Sequence, residues 1–81
     1  MSVNIQDQLQ EYVEELAKQD SIDPSVNLFE TGLLTSVHVL DLIAFIEERF
    51  GIVISPDDLS IDNFGSIDAM ATFVEKAMQP A

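Results

Sequence analysis

The stretch from Ser36 to Phe50 constrains this chain more than any other, because it reads as one helix with two apolar faces. Stepping about 100° per residue brings Val39, Leu42, Ile43, Ile46 and Phe50 within about 100° of one another, an ordinary core stripe. Val37, Leu40 and Ala44, at i, i+3 and i+7, form a second, narrower stripe on a different side, flanked by Asp41, Glu47 and Glu48. A helix buried on one side only needs no second stripe. Either Leu40 tucks under the preceding loop, which contains Pro24, or the stripe is exposed, apolar along its middle and acidic at its rim. In the second case it suits a partner whose groove is bordered by Arg or Lys. Phe45 falls on a third side, near His38 and Arg49, and is expected to pack on that same loop.

The rest of the chain supplies partners for the core stripe. Ile5, Leu9, Tyr12, Val13 and Leu16 predict a helix over Ile5 to Ala17, capped by Asn4, with Asp7 in its first turn and Lys18 near its far end to suit the helix dipole. Gln19 to Asn27 is polar, is interrupted by Pro24 and reads as a long loop, after which Leu28 and Phe29 fold back as a hydrophobic anchor. Thr35 or Ser36 starts the two-faced helix, and Gly51 stops it. Ile52 and Ile54 read as extended. Ser55-Pro-Asp-Asp then offers a cap, a first-turn proline and first-turn acids, so a short helical segment lies within Pro56 to Phe64. Gly65 breaks it, and Ser66 caps a last helix whose inner face is Ile67, Met70, Ala71, Val74 and Met78. The expected fold is all-α, a small four-helix bundle of three longer helices plus one short helix, with a long loop between the first and second helices. It forms a single domain over residues 1–81 that ends in a frayed Gln79-Pro80-Ala81.

Size and composition narrow the function by exclusion. A chain of 81 residues can fold alone while burying only about 60% of its unfolded surface, and 47% hydrophobic residues suffice for a core made of helix faces. The absence of cysteine removes disulfides, thiolate nucleophiles and zinc-thiolate sites together and suits a cytoplasmic setting. Met1 to Gln10 lacks the cationic start and apolar run of a signal peptide, and no apolar stretch approaches the roughly 20 residues of a membrane span. Fifteen acidic against three basic side chains, a formal charge of −12, argue against nucleic acid and anionic membrane surfaces and for basic partners. Self-repulsion at that charge predicts a stability that improves with salt.

Enzyme chemistry has little to work with. His38 is the single histidine, and two residues from Ser36 it lies about 200° around the helix, so no nucleophile and base pair forms and no triad follows. Neither Asp57-Asp58 nor Asp62-Asn63 has the ligand spacing of a calcium loop, so no metal site is expected and these acids read as helix-start residues.

Ser36 alone is an ordinary helix-start serine. Its surroundings are more specific: Phe29-Glu-Thr-Gly-Leu-Leu-Thr-Ser-Val37, Leu42-Ile-Ala-Phe-Ile-Glu-Glu-Arg-Phe-Gly-Ile52, Ile54-Ser-Pro-Asp-Asp58 and Asn63-Phe-Gly-Ser-Ile-Asp-Ala-Met-Ala-Thr-Phe-Val74. Together these blocks resemble the acyl carrier and peptidyl carrier protein superfamily over essentially the whole chain. The resemblance implies a monomeric carrier with no catalytic activity of its own. In that family a phosphopantetheinyl transferase moves 4′-phosphopantetheine from coenzyme A onto the serine that Ser36 matches, and the thiol of that arm holds an acyl or aminoacyl group as a thioester. The physics agrees: a phosphate at a helix N-terminus meets unpaired backbone N–H groups and the positive end of the dipole, and a chain without cysteine imports its thiol. The tether keeps the cargo at high effective concentration near each processing enzyme.

The implied partners are the transferase and an acyl- or aminoacyl-activating ligase, an acyltransferase or a ketosynthase. The residues expected to meet them are Thr35, Val37, His38, Leu40, Asp41, Ala44, Glu47 and Glu48. Glu30-Thr-Gly-Leu-Leu34 and Asn63-Phe-Gly-Ser-Ile-Asp-Ala69 look less like fatty-acid synthesis carriers than like free-standing carriers of polyketide, nonribosomal peptide or D-alanylation pathways. One residue departs from the pattern. The family usually has aspartate immediately before the serine, whereas Thr35 caps the helix without supplying the negative charge used by the transferase and its Mg²⁺ site, which implies less efficient modification or a dedicated transferase. His38 reads as a solvated helix residue. The competing reading is an unmodified acidic helical module that binds a basic partner with no prosthetic group.

Overall fold

Helix α1 (Ile5–Ala17) begins where Asn4 Oδ1 accepts the Asp7 amide at 2.7 Å, which satisfies one of the orphan donors of its first turn. It ends on Lys18, whose φ of 57° lies in the left-handed region; the sequence pointed there only to a favourable charge. Helix α2 (Ser36–Phe50) ends on Gly51 at φ 67°, a conformation that glycine adopts without steric cost. The short segment expected within Pro56 to Phe64 is two pieces, a 3₁₀ turn at Pro56–Asp58 and a single turn α3 (Ile61–Phe64). Asp58 Oδ2 closes the first by accepting the Ser55 amide at 3.3 Å, and Ser60 Oγ opens the second by accepting from Asn63 at 3.3 Å. Helix α4 (Ile67–Met78) starts at Ser66, whose hydroxyl accepts the Ala69 amide at 3.1 Å. The computed structural model describes residues 4–79, all helix, turn and loop with no strand among them. Pro80 and Ala81 of the expected frayed end lie outside the described residues.

The helices close on one core. Leu9 and Val13 enter it from α1, Leu42 and Ile46 from α2, Phe64 from α3, and Ile67, Met70, Ala71 and Val74 from α4, while Ile22, Leu28, Leu34 and Ile54 fill it from the connections. Ile43 and Phe50 pack against its edge. Met78 was expected on the inner face of α4 and is instead 49% exposed; the core ends one turn earlier, at Val74. Phe45, expected on the first loop, finds its ring partners on the helices. It stacks on Tyr12 of α1 with ring centroids 3.9 Å apart and planes 8° from parallel, meets Phe50 edge-on at 6.2 Å, and carries the Arg49 guanidinium 5.1 Å from its centroid. Its partner sits on another helix, which spacing within α2 cannot reveal.

The long loop between α1 and α2 is tied to the bundle along its length. Glu14 Oε2 accepts the Ile22 amide at 3.0 Å, and Gln10 Nε2 donates to the Ile22 carbonyl at 2.5 Å. The Asp68 amide donates to Pro24 O at 3.0 Å, the Leu28 amide to Gly65 O at 2.7 Å, and the Leu34 amide to Leu28 O at 3.0 Å. Leu28 and Leu34 are both buried in the core, so the loop reaches Ser36 as an anchored strap. Gly65 matters here for closeness and not for its dihedrals: its φ is −73°, but a Cβ there would stand 2.5 Å from Ile61 O. Among the described residues no helix is long and apolar enough to cross a membrane, and no group of three or more His, Cys, Asp and Glu is placed to hold a metal ion.

Candidate functional site

Ser36 is the first residue of α2 and is exposed. The N-cap is Thr35, extended at φ −124° and ψ 176°. Its amide donates to His38 Nδ1 at 3.0 Å, its carbonyl accepts the His38 amide at 2.9 Å, and its Oγ1 lies 3.3 Å from the same Nδ1. A histidine three residues past the cap therefore does what Glu or Gln does in a capping box. The ring must be neutral at Nδ1 to accept, which puts its proton on Nε2. His38 is thus a half-buried capping group bonded to Thr35, where the sequence suggested only a solvated residue. The first turn of α2 contains no acidic side chain, so negative charge on Ser36 meets the exposed amides and the positive end of the dipole unopposed.

Beside Ser36 a groove of about 280 Å³ opens between the start of α2 and α3. Its walls are Phe29, Val39, Leu59, Ile61 and Phe64, and its polar lining is Ser36 and Ser60. Leu59 and Ile61 form a partly exposed lip, at 42% and 57%. These residues were not singled out in the sequence; the readable signal was the apolar pair Leu59 and Ile61 on either side of Ser60. A phosphopantetheine arm fits this arrangement on two counts: an accessible hydroxyl at a helix start free of acids, and an apolar trough beginning at that hydroxyl.

The second stripe of α2 faces solvent. Val37 and Leu40 are 75% and 74% exposed, Ala44, Asp41 and Glu48 are exposed beside them, and so Leu40 is not tucked under the Pro24 loop. Glu47 is different: it is half-buried, and its Oε2 accepts the Ile54 amide at 2.9 Å. The structure brings Thr35, Val37 and His38 around Ser36 and lines Leu40, Asp41, Ala44 and Glu48 along the helix behind it.

A larger cleft, about 560 Å³, lies on the opposite side of α2, lined by Gln8, Glu11, Tyr12, Glu15, Phe45 and Arg49. Arg49 Nη1 donates to Gln8 Oε1 at 3.0 Å, and the Tyr12 hydroxyl donates to the Asp41 carbonyl at 3.1 Å. Burial, helped by the charges of Asp41 and Glu15, pushes the Tyr12 hydroxyl above the usual tyrosine range. The cleft does not open at Ser36, and its groups tie α2 to α1.

The profile of the phosphopantetheine attachment site family matches residues 7–74. No curated protein matches the chain. Solved structures do. A chain from a crystal structure of an FAD-dependent dehydrogenase superposes with a TM-score of 0.72 at 22% identity, over 82% of this chain and 97% of that chain; this likeness is one of fold.

Proposed function

The chain belongs to the phosphopantetheine attachment site family, and on that premise we propose that Ser36 is the residue that receives the arm. A domain of this family is the attachment site of covalently bound 4′-phosphopantetheine and acts as a carrier. The observation that carries the reading is the exposed Ser36 hydroxyl at an acid-free helix N-terminus with an apolar groove beside it. When bound, the arm supplies a thiol that holds an acyl or aminoacyl group as a thioester. The residues of the chain do the rest. Thr35 and His38 fix the first turn of α2 and so the position of Ser36, the helix amides stabilise negative charge on it, and Phe29, Val39, Leu59, Ile61 and Phe64 offer apolar surface next to the attachment point.

The strip of Val37, Leu40 and Ala44, with Asp41 and Glu48 at its rim, is the surface by which the transferase and the cargo-handling enzymes dock. The whole chain, residues 1–81, acts as one carrier domain, a cytoplasmic monomer that is not itself an enzyme. The blocks around Glu30 and Asn63 support a role in polyketide, nonribosomal peptide or related secondary metabolism, with a ligase, acyltransferase or ketosynthase as the partner. The test is mass spectrometry after incubation with coenzyme A and a broad-specificity phosphopantetheinyl transferase. Wild-type chain is expected to gain one phosphopantetheinyl group, and Ser36→Ala none. No gain in the wild type removes the proposal and favours the unmodified acidic module, and a gain that survives in Ser36→Ala removes Ser36 as the attachment residue.

A further inference from the structure

We infer that the docking strip continues past the end of α2 to Val53, that Glu47 is the positioning residue that holds it there, and that the occupant is the transferase that modifies Ser36. The inference rests on the reading of α2 as the docking helix. Val53 is 87% exposed, the most exposed large apolar side chain among the described residues, while its neighbours Ile52 and Ile54 turn into the core. Glu47 lies seven residues, or about 10 Å, beyond Leu40 on nearly the same side of the helix. Its carboxylate accepts the Ile54 amide at 2.9 Å, which pins the departing chain against the strip side of α2 and sets Val53 at its distal end.

Charge decides what can cover this line. Asp41 and Glu48 flank it on α2, and Asp57 is exposed in the turn after Val53. The chain has three Lys and Arg residues in all, and none joins the strip: Lys18 is the C-cap of α1, Lys76 is in the last turn of α4, and Arg49 faces Gln8 and Phe45. The surface is therefore an apolar line on an anionic field. It starts at the residue after Ser36 and runs the roughly 22 Å of a 15-residue helix. An enzyme that must reach Ser36 and that carries a long apolar trough edged by Arg and Lys complements both features.

The test uses the transferase with coenzyme A and compares KM and kcat for the chain as substrate. Val53→Asp is expected to raise KM about tenfold, the effect of losing one interface anchor, with kcat and thermal melting unchanged. Glu47→Ala is expected to raise KM similarly, and Glu47→Gln, which keeps an acceptor for the Ile54 amide, to recover most of that loss. The double variant Glu47→Ala/Val53→Asp is expected to lose no more than the larger single loss, the signature of two residues acting through one contact. A wild-type KM for Val53→Asp alongside an impaired Leu40→Asp overturns the extension alone. A Glu47→Gln variant as impaired as Glu47→Ala overturns the positioning role and makes Glu47 a docking charge. Wild-type kinetics in Leu40→Asp as well would remove the docking reading beneath both.

Discussion

Helices α4 and α2 are of similar length and similar apolar content, yet they are built for different work. On α4 the apolar residues Ile67, Met70, Ala71 and Val74 are all buried, and what faces solvent is Asp68, Thr72, Glu75 and Lys76, with Ala77 and Met78 at the end of the helix. On α2 Leu42 and Ile46 alone are fully buried, while Val37 and Leu40 stand three-quarters exposed. Up to Val74, a large apolar residue on α4 is there for the fold. On α2 its position around the helix decides whether it serves the fold or the surface.

The contrast is sharpest, and easiest to break, at Met70. Removing its buried side chain as Met70→Ala is expected to cost about 2–5 kcal/mol in urea denaturation; a cost below that range would mean that α4 is not the keystone of the core. Gly65→Ala comes next. Its Cβ would press on the Ile61 carbonyl, and relieving that contact is expected to cost about 1–3 kcal/mol, together with slower labelling of Ser36, because Phe64 and Ile61 line the groove beside it. Tyr12→Phe keeps the stack on Phe45 and loses the hydrogen bond to Asp41, for about 0.5–1.5 kcal/mol near neutral pH.

The same residue predicts a pH dependence. The folded Tyr12 holds its proton above the usual range, so the folded state binds more protons than the unfolded one once the pH passes about 10. Stability should fall from there toward the higher folded value, and melting curves of Tyr12→Phe should lack that component. The smallest effect belongs to the surface of α2. Leu40→Ser is expected to change stability by less than about 0.5 kcal/mol; a loss comparable to that of Met70→Ala would erase the distinction between the two helices.

Much of the fold was legible because local signals agreed with the tertiary outcome. Asn4 and Ser66 are good caps standing immediately before amphipathic runs, and both helices start where those residues point. The resemblance to carrier proteins was legible for another reason: it is spread over four blocks along the chain. The rest depended on contacts between residues far apart or on unusual pairings. Nothing local says that Phe45 will find Tyr12, or that the Glu47 carboxylate will turn inward to Ile54. His38 escaped as a cap because the recognised box has Glu or Gln at that position, and the acceptor here is a ring nitrogen. The groove escaped because it is assembled from a loop, a helix start and a four-residue turn, none of which is amphipathic by itself.

The strap that delivers Ser36 hangs from the far end of the chain: the Leu28 amide needs the Gly65 carbonyl, and Pro24 O needs the Asp68 amide. During synthesis, a chain that has emerged only through α2 already contains Ser36 but lacks the acceptor and donor that seat the loop before it. On the proposed function, arm attachment at Ser36 is expected to favour finished molecules, in which both bonds have formed. Chains truncated before Gly65 are expected to label far more slowly than the full chain at equal concentration.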